Sequence, residues 1–122
     1  MAKVVGIGGV FLLARDADAL RAWYEEALGI EFDGDSGVRF NQVVDNAGLV
    51  FNLVPHSSTY IGEPERQSAM INFLVRDLDG MVERLAELDV LTEPIDDEPS
   101  GRFSWAIDPE GNRFKLWGPP SN

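Results

Sequence analysis

The chain has 122 residues with a formal net charge of −11, and 44% of its residues are hydrophobic. This length predicts one domain whose core needs no disulfide, and the chain contains no cysteine to form one. The charge argues against nucleic-acid and anionic-membrane partners, and no apolar run approaches the roughly 18 residues of a membrane span. Since the N-terminus lacks a signal-peptide pattern, we expect a cytoplasmic protein.

The first half of the chain predicts a strand, a helix and three further strands. The opening strand spans Gly6 to Ala14. Asp16 is a typical helix N-cap, and Gly29 suits the left-handed position that ends a helix. Apolar residues recur between them at helical spacing: Leu20, Trp23, Tyr24, Ala27 and Leu28. The later strands are Ile30 to Asp33, Val38 to Val44 and Gly48 to Val54.

The second half repeats this pattern after a connector, Pro55 to Ser68, that is rich in turn formers. Such long loops are usually linkers or functional lids, and we interpret this one first as a linker. A strand at Ala69 to Val75 precedes a helix capped by Asp77. The following strands are Leu91 to Ile95, Arg102 to Ile107 and Asn112 to Trp117. A hairpin turn at Asp108 to Gly111 joins the last two.

The two halves also align as an internal repeat. When Asp16 is placed over Asp77, "FLLARDADALRAWYEEALGIEF" lies over "NFLVRDLDGMVERLAELDVLTE", and "DNAGLVFNL" later lies over "DPEGNRFKL". The sequence therefore predicts an α+β fold, with two tandem βαβββ modules forming a mixed sheet cleft. The expected single domain spans 1–122, with module one at about 1–55, a linker at about 55–68 and module two at about 69–120.

The pattern resembles the vicinal oxygen chelate superfamily, the glyoxalase, bleomycin-resistance and extradiol-dioxygenase group. The residues that carry the resemblance are "GGVFLLARDADALRAWYEEALGI", "INFLVRDLDGMVERL" and "GRFSWAIDPEGNRFKLWGPP". Members of this group isomerise, epimerise, cleave rings, open epoxides or sequester drugs. The resemblance implies a small-molecule ligand inside the cleft and a homodimer, but it does not select a reaction.

The metal-ligand positions of that superfamily depart from its pattern here. By the resemblance they fall on Gly9, Asn52, Met70 and Lys115, where metal-dependent members usually carry His and Glu. Glycine has no side chain, a thioether suits hard divalent ions poorly, and an ammonium has no lone pair. The only histidine, His56, lies in the connector. We therefore expect no metal and no cofactor.

Strand alternation selects the residues that line the expected cleft. The assumed hairpin pairs Ser104 with Lys115 and Ala106 with Arg113, and it sets Arg102 beside Trp117. The matching hairpin of module one pairs Asn41 with Asn52. The candidate ligand-cleft residues are Phe11, Leu13, Asn41, Asn52, Met70, Asn72, Arg102, Ser104, Arg113, Lys115 and Trp117.

This mixture of apolar, polar and cationic groups suits a small amphipathic or aromatic anion. The sequence thus predicts a metal-independent small-molecule binding protein with Lys115 holding the negative group. A metal-independent isomerase or lyase with Lys115 as the base is the alternative, so enzymatic activity stays open. Two other interpretations remain: the cleft closes by dimerisation, or Lys115 lays its stem over Trp117 and extends its head into water.

Overall fold

The computed structural model describes residues 10–40, 48–63 and 65–120. Within these ranges there are two α-helices, α1 at Ala17–Leu28 and α2 at Leu78–Glu87, and a short 3₁₀ turn at Gly34–Ser36. The strands are β1 at Asn72–Leu74, β2 at Asp96–Glu98, β3 at Gly101–Ile107 and β4 at Arg113–Gly118. In this part of the chain, no helix has the length and apolar character needed to cross a membrane.

The four strands form one mixed sheet in the order β1-β4-β3-β2. β1 pairs with β4 in parallel, whereas β2–β3 and β3–β4 are antiparallel. α2 provides the crossover that the parallel pair requires, since it follows β1 in the chain. The described fold is therefore α+β, as predicted, and the second half of the chain forms a βαβββ unit.

Both helices begin at the residues that the sequence predicted as caps. A carboxylate oxygen of Asp16 accepts a hydrogen bond from the Ala19 amide at 3.0 Å, and Asp77 does the same for Gly80 at 3.1 Å. α1 ends at Gly29, whose φ of 71° places it in the left-handed region. The caps satisfy amides and carbonyls that the first and last helical turns leave without partners.

Both helices pack on the same face of the sheet. The core consists of seven buried residues: Ala27, Val75, Leu78, Leu85, Ala106, Phe114 and Leu116. On β4, Phe114 and Leu116 are 2% and 0% exposed, which confirms the predicted alternation on this strand. Because each fully buried side chain of this size contributes roughly 1.5–3 kcal/mol, β4 is held firmly by its inward residues. Its other residues, Arg113, Lys115 and Trp117, lie on the face away from the helices.

The strands predicted for the first half are not formed in the described residues. No strand pairing is present in Ile30–Asp33 or Gly48–Val54. The same holds for the described parts of the other two segments, 10–14 and 38–40. The remaining positions, 6–9 and 41–44, lie outside the described residues. Most apolar side chains of these segments are exposed, with Phe11 95% and Leu53 80% exposed. The two-module arrangement and its cleft therefore stay a prediction.

The strand boundaries of the second half also differ from those predicted. β1 is shorter than Ala69 to Val75, and the strand expected at Leu91 to Ile95 instead lies at Asp96–Glu98. Before β2 begins, the Glu93 amide already donates a backbone hydrogen bond to the Trp105 carbonyl of β3. The regular pairing between β2 and β3 starts only at Asp96. Element type was thus easier to predict than element ends.

Candidate functional site

The turn between β3 and β4 decides which residues share a face. The Asp108 amide donates to the Asn112 carbonyl at 2.9 Å, so three residues close the hairpin, and Gly111 takes the left-handed conformation with φ 89°. The predicted turn was one residue shorter. The observed register pairs Trp105 with Lys115 and Ser104 with Leu116, so the predicted pairing of Ser104 with Lys115 is wrong.

This register moves Ser104 and Arg102 to the face that carries the helices. Ser104 is fully buried, and its hydroxyl donates to the Glu93 carbonyl at 2.7 Å. The Arg102 guanidinium bonds Asp79 of α2 at 2.9 Å and Asp97 of β2 at 3.0 Å. The hydrogen bond from Arg102 lowers the pKa of Asp79 and raises the pKa of Arg102 itself. Neither residue joins Lys115, which corrects their placement in the cleft.

The opposite face carries aromatic rings around Lys115. We call it the aromatic face, and it consists of Phe103, Trp105, Arg113, Lys115 and Trp117. The rings of Phe103 and Trp117 stack at 6.4 Å with an interplanar angle of 10°. The Lys115 ammonium lies 4.2 Å from the ring centre of Phe103 and 5.4 Å from that of Trp105. These are cation–π distances, and they explain how a cation is accommodated on a strand with a buried opposite face.

Tyr60 of the connector completes the surroundings of Lys115. The ammonium donates a 2.9 Å hydrogen bond to the Tyr60 hydroxyl and lies 5.6 Å from the centre of the phenol ring. Among the described residues, no carboxylate forms an ion pair with Lys115. Within the part of the chain that the structure describes, the contacts of this ammonium are therefore ring faces and a neutral oxygen.

Arg113 differs from Lys115 because its charge is compensated. Its guanidinium forms an ion pair with Glu93 and donates to the Tyr60 carbonyl at 3.1 Å. It also lies 5.5 Å from the ring centre of Trp105. Of the three cations predicted for the cleft, the structure thus leaves Lys115 as the one without an acidic partner among the described residues.

The connector is fastened to β4 through Gln67. Its side-chain amide donates to the Arg113 carbonyl at 2.6 Å and accepts from the Arg113 amide at 2.8 Å, much as a neighbouring strand would. This attachment brings the connector alongside the aromatic face and lets Tyr60 reach Lys115. The segment interpreted first as a linker therefore contributes a side chain to the site.

The remaining predicted cleft residues are distributed unevenly. Asn72 lies beside Lys115 in the β1–β4 pairing and is exposed, and Met70 is half-buried just before that strand. Asn52 is exposed, and its side-chain oxygen accepts from the neighbouring Leu53 amide at 2.9 Å. Phe11 and Leu13 are almost fully exposed, so their place in a ligand cleft stays a prediction. Asn41 and Gly9 lie outside the described residues.

The residues present do not fit a catalytic metal ion. Three of the four metal-ligand positions implied by the resemblance are described, and they carry an amide, a thioether and an ammonium: Asn52, Met70 and Lys115. The ammonium repels a cation, and no group of three or more acidic or histidine side chains in the described chain could hold one. The chemistry of this face is instead cationic and aromatic.

Sequence reasoning missed three residues of the site: Tyr60, Phe103 and Trp105. The two ring-bearing residues of β3 follow from alternation once the turn is lengthened by one residue. Tyr60 had a weaker signal, because only the length of the connector suggested a role beyond linking. The Trp105 indole nitrogen is buried and has no hydrogen-bond partner among the described residues. A buried donor without an acceptor is uncommon in a folded protein.

A concavity lies on the other side of the sheet, the side that carries the helices. It encloses about 360 Å³ between the end of α1 and β1, and Ile30, Phe40 and Met81 are among its lining residues. Its charged lining residues, Glu31 and Arg39, carry opposite signs. We assign the candidate site to the aromatic face because Lys115 has no acidic partner within residues 10–40, 48–63 and 65–120.

Comparison with known proteins supports the fold. Residues 9–117 match the family model of the glyoxalase-like domain. A glyoxylase/bleomycin resistance protein/dioxygenase domain from Frankia sp. EAN1pec is 22% identical with a TM-score of 0.64, and the match covers 98% of this chain and 96% of that one.

Two other solved structures resemble the chain over nearly their full lengths. The fosfomycin resistance protein FosX of Listeria monocytogenes is 15% identical with a TM-score of 0.59, covering 97% of this chain and 96% of its own. TnmS3, an antibiotic binding protein from Streptomyces sp. CB03234, is 23% identical with a TM-score of 0.56, covering 96% and 100%. No curated protein sequence matches significantly. The chain belongs to the glyoxalase-like domain family, within the vicinal oxygen chelate superfamily.

Proposed function

We propose that this protein binds a small aromatic or amphipathic anion, without a metal, on the aromatic face. The observation that carries the proposal is Lys115, a cation surrounded by Phe103, Trp105 and Tyr60 and without a carboxylate partner in the described chain. A ligand carboxylate or phenolate would balance this charge. The half-buried rings of Trp105 and Trp117 offer apolar contacts to the rest of the ligand.

The expected energies suit reversible binding. A charge-assisted hydrogen bond between Lys115 and a ligand oxygen contributes roughly 1.5–3 kcal/mol. Stacking on an aromatic side chain contributes roughly 0.5–1.5 kcal/mol beyond the burial of apolar area. These contributions correspond to a ligand that is retained by several modest contacts.

Metal independence is part of this proposal and rests on donor chemistry. In this reading the ammonium of Lys115 provides the positive charge that a metal ion supplies in metal-dependent relatives. The names of two similar structures, a fosfomycin resistance protein and an antibiotic binding protein, make small-molecule binding a natural activity for this fold. Their ligands are not transferred to this chain, because the identities of 15% and 23% indicate only a shared fold.

An enzymatic alternative uses the same two residues. Lys115 and Tyr60 form an ammonium–phenol pair at 2.9 Å, and such a pair can pass a proton to or from a bound substrate. A metal-independent isomerase or lyase is therefore the second candidate function. It differs from pure binding in one observable, the conversion of the ligand on incubation with the protein.

A homodimer is also proposed. Many apolar side chains of the first half are exposed in the single chain, among them Phe11, Leu13, Phe51 and Leu53. Large exposed apolar surfaces are usually covered in solution, and two-fold symmetric dimers are the commonest closed assembly. A second copy of the chain would cover these residues with the same surface on its partner.

Three probes of matched shape test the binding proposal. We expect 2-naphthoate to bind, measured by isothermal titration calorimetry at low ionic strength. Decahydro-2-naphthoate, which keeps the charge but lacks the rings, should bind several-fold more weakly. The cation 2-naphthylmethylammonium should not bind, because Lys115 repels it. Equal affinity for the cation and the anion would contradict the proposed role of charge.

A further inference from the structure

Resting on the proposed function, we propose that Tyr60 occupies the place of the ligand, so that the ligand is an aromatic compound bearing a ring hydroxyl or oxyanion that displaces Tyr60. The phenol of Tyr60 presents to Lys115 the two features expected of such a ligand, an oxygen and a ring. The chain thereby contains an internal competitor for its own site. The inference names the ligand class and the step that binding requires.

The geometry of Tyr60 is that of a bound aryl oxygen. Its hydroxyl accepts a hydrogen bond from the Lys115 ammonium at 2.9 Å. Its ring meets Trp105 edge to face, with the ring centres 6.4 Å apart and the planes at 76°. One phenol therefore makes both the polar and the aromatic contacts that the face offers around Lys115.

The attachment of Tyr60 is weak enough to be exchanged. The residue is 42% exposed, and its side chain contacts Lys115 and Trp105. Its backbone carbonyl accepts from Arg113 at 3.1 Å, and its amide donates to the Ser58 hydroxyl at 3.0 Å. A ligand that offers Lys115 a charged oxygen replaces a neutral acceptor by a stronger one.

The displacement can remain local because the connector has a separate anchor. Gln67 holds the chain to β4 through both the nitrogen and the oxygen of its side-chain amide, independently of Tyr60. Gly62 lies between the two attachments and has a φ of 140°, in the region that favours glycine. Tyr60 can therefore leave Lys115 while Gln67 keeps the connector close to the face.

Competition of this kind lowers the apparent affinity by the fraction of molecules in which the site is free. If Tyr60 covers Lys115 in about nine molecules of ten, removal of its hydroxyl tightens ligand binding by up to about tenfold. A residue that instead forms a wall of the binding site has the opposite effect, because its loss removes ligand contacts. The direction of the change separates the two roles.

The test measures the affinity of 2-naphthol for the wild type, Tyr60→Phe and Tyr60→Ala by calorimetry, after circular dichroism has verified that each variant is folded. We expect wild type to bind, Tyr60→Phe to bind several-fold to tenfold more tightly, and Tyr60→Ala at least as tightly as the wild type. His56→Ala is the control, since it truncates an exposed side chain of the same connector away from Lys115, and it should leave the affinity unchanged.

The other outcomes overturn the inference in distinguishable ways. Weaker binding by both variants of Tyr60 would make this residue a wall of the site, and unchanged binding would make it a bystander. Binding of 2-naphthoate but not of 2-naphthol by the wild type would contradict the ligand class while the proposed function stands. Failure of the wild type and of Tyr60→Phe to bind either probe would remove the proposed function together with the inference.

Discussion

The hydroxyl of Tyr24 donates a 2.8 Å hydrogen bond to the carboxylate of Asp108, joining α1 to the turn between β3 and β4. The same carboxylate accepts from the Glu110 and Asn112 amides, both at 2.9 Å. Glu110 in turn accepts from the Arg15 amide at the start of α1 at 2.7 Å. The turn that sets the register of the aromatic face is therefore held by the helix of the other half of the chain.

Tyr24→Phe should destabilise the protein and change how its stability depends on pH. Loss of a hydrogen bond to a charged group costs roughly 1.5–3 kcal/mol. Burial, together with the Asp108 carboxylate, raises the pKa of Tyr24 far above its usual value. In the unfolded chain the phenol ionises near pH ~10, so above that pH the wild type loses stability by about 1.4 kcal/mol per pH unit.

Urea unfolding of both proteins at pH 9 and pH 11 checks this prediction. The wild type should lose more stability than Tyr24→Phe between the two pH values, because the variant lacks the buried hydroxyl. Below the pKa of the phenol in the unfolded chain, the stabilising contribution of Tyr24 is fully present. This group should therefore contribute equally to the free energy of unfolding at pH 7 and at pH 9. Parallel losses in the two proteins would contradict the assigned cause.

Arg102→Met should leave ligand binding unchanged. The guanidinium lies on the helix side of the sheet and pairs with Asp79 and Asp97, away from Lys115. We expect the affinity for 2-naphthoate to stay within about twofold of wild type. The pKa of Asp79 should rise toward its ordinary value, which carboxyl NMR titration would detect. A large loss of affinity would contradict the observed register. It would instead support the predicted register, in which Arg102 lies beside Trp117 on the ligand side of the sheet.

Added divalent metal should not stabilise the protein. The described residues at the ligand positions implied by the resemblance, Asn52, Met70 and Lys115, suit neither a hard nor a borderline cation. Melting curves with and without equimolar Zn²⁺ or Mn²⁺, recorded after treatment with a chelator, should coincide. Elemental analysis of the purified protein that gives close to one metal per chain would contradict metal independence.

We predict a homodimer in solution across the micromolar range. The apolar side chains of the first half, such as Phe11 and Phe51, are 95% and 75% exposed in the single chain. Light scattering should give twice the chain mass of 13.5 kDa. A mass equal to one chain at every concentration would show that these residues are covered in another way.

Local signals predicted the helices, whereas the register depended on one residue of turn geometry. Asp16, Gly29 and Asp77 act within a few residues of their own position, so sequence alone identified the caps. Gly111 was read as part of a shorter turn, and its left-handed conformation adds one residue to the loop. That single residue exchanges the faces of β3 and replaces Ser104 by Trp105 opposite Lys115.

The contribution of Tyr60 could not be predicted from sequence because it is a long-range contact. Tyr60 and Lys115 are 55 positions apart, and the approach depends on Gln67 attaching to the backbone of β4. The sequence of the connector has no periodic pattern that would predict this attachment. Lys115 itself was identified correctly as a cation on the face away from the core, since the alternation of β4 placed Phe114 and Leu116 inward.

The affinity of 2-naphthoate for Lys115→Met, compared with the wild type, tests the central claim most directly. Methionine fills a similar volume, so the fold should survive. Arg84→Met, an equal loss of charge on the exposed side of α2, is the matched control and should bind like wild type. We predict that Lys115→Met binds at least about tenfold more weakly, a change of about 1.4 kcal/mol. Equal binding by all three proteins would show that Lys115 is only structural and that the ligand is held elsewhere.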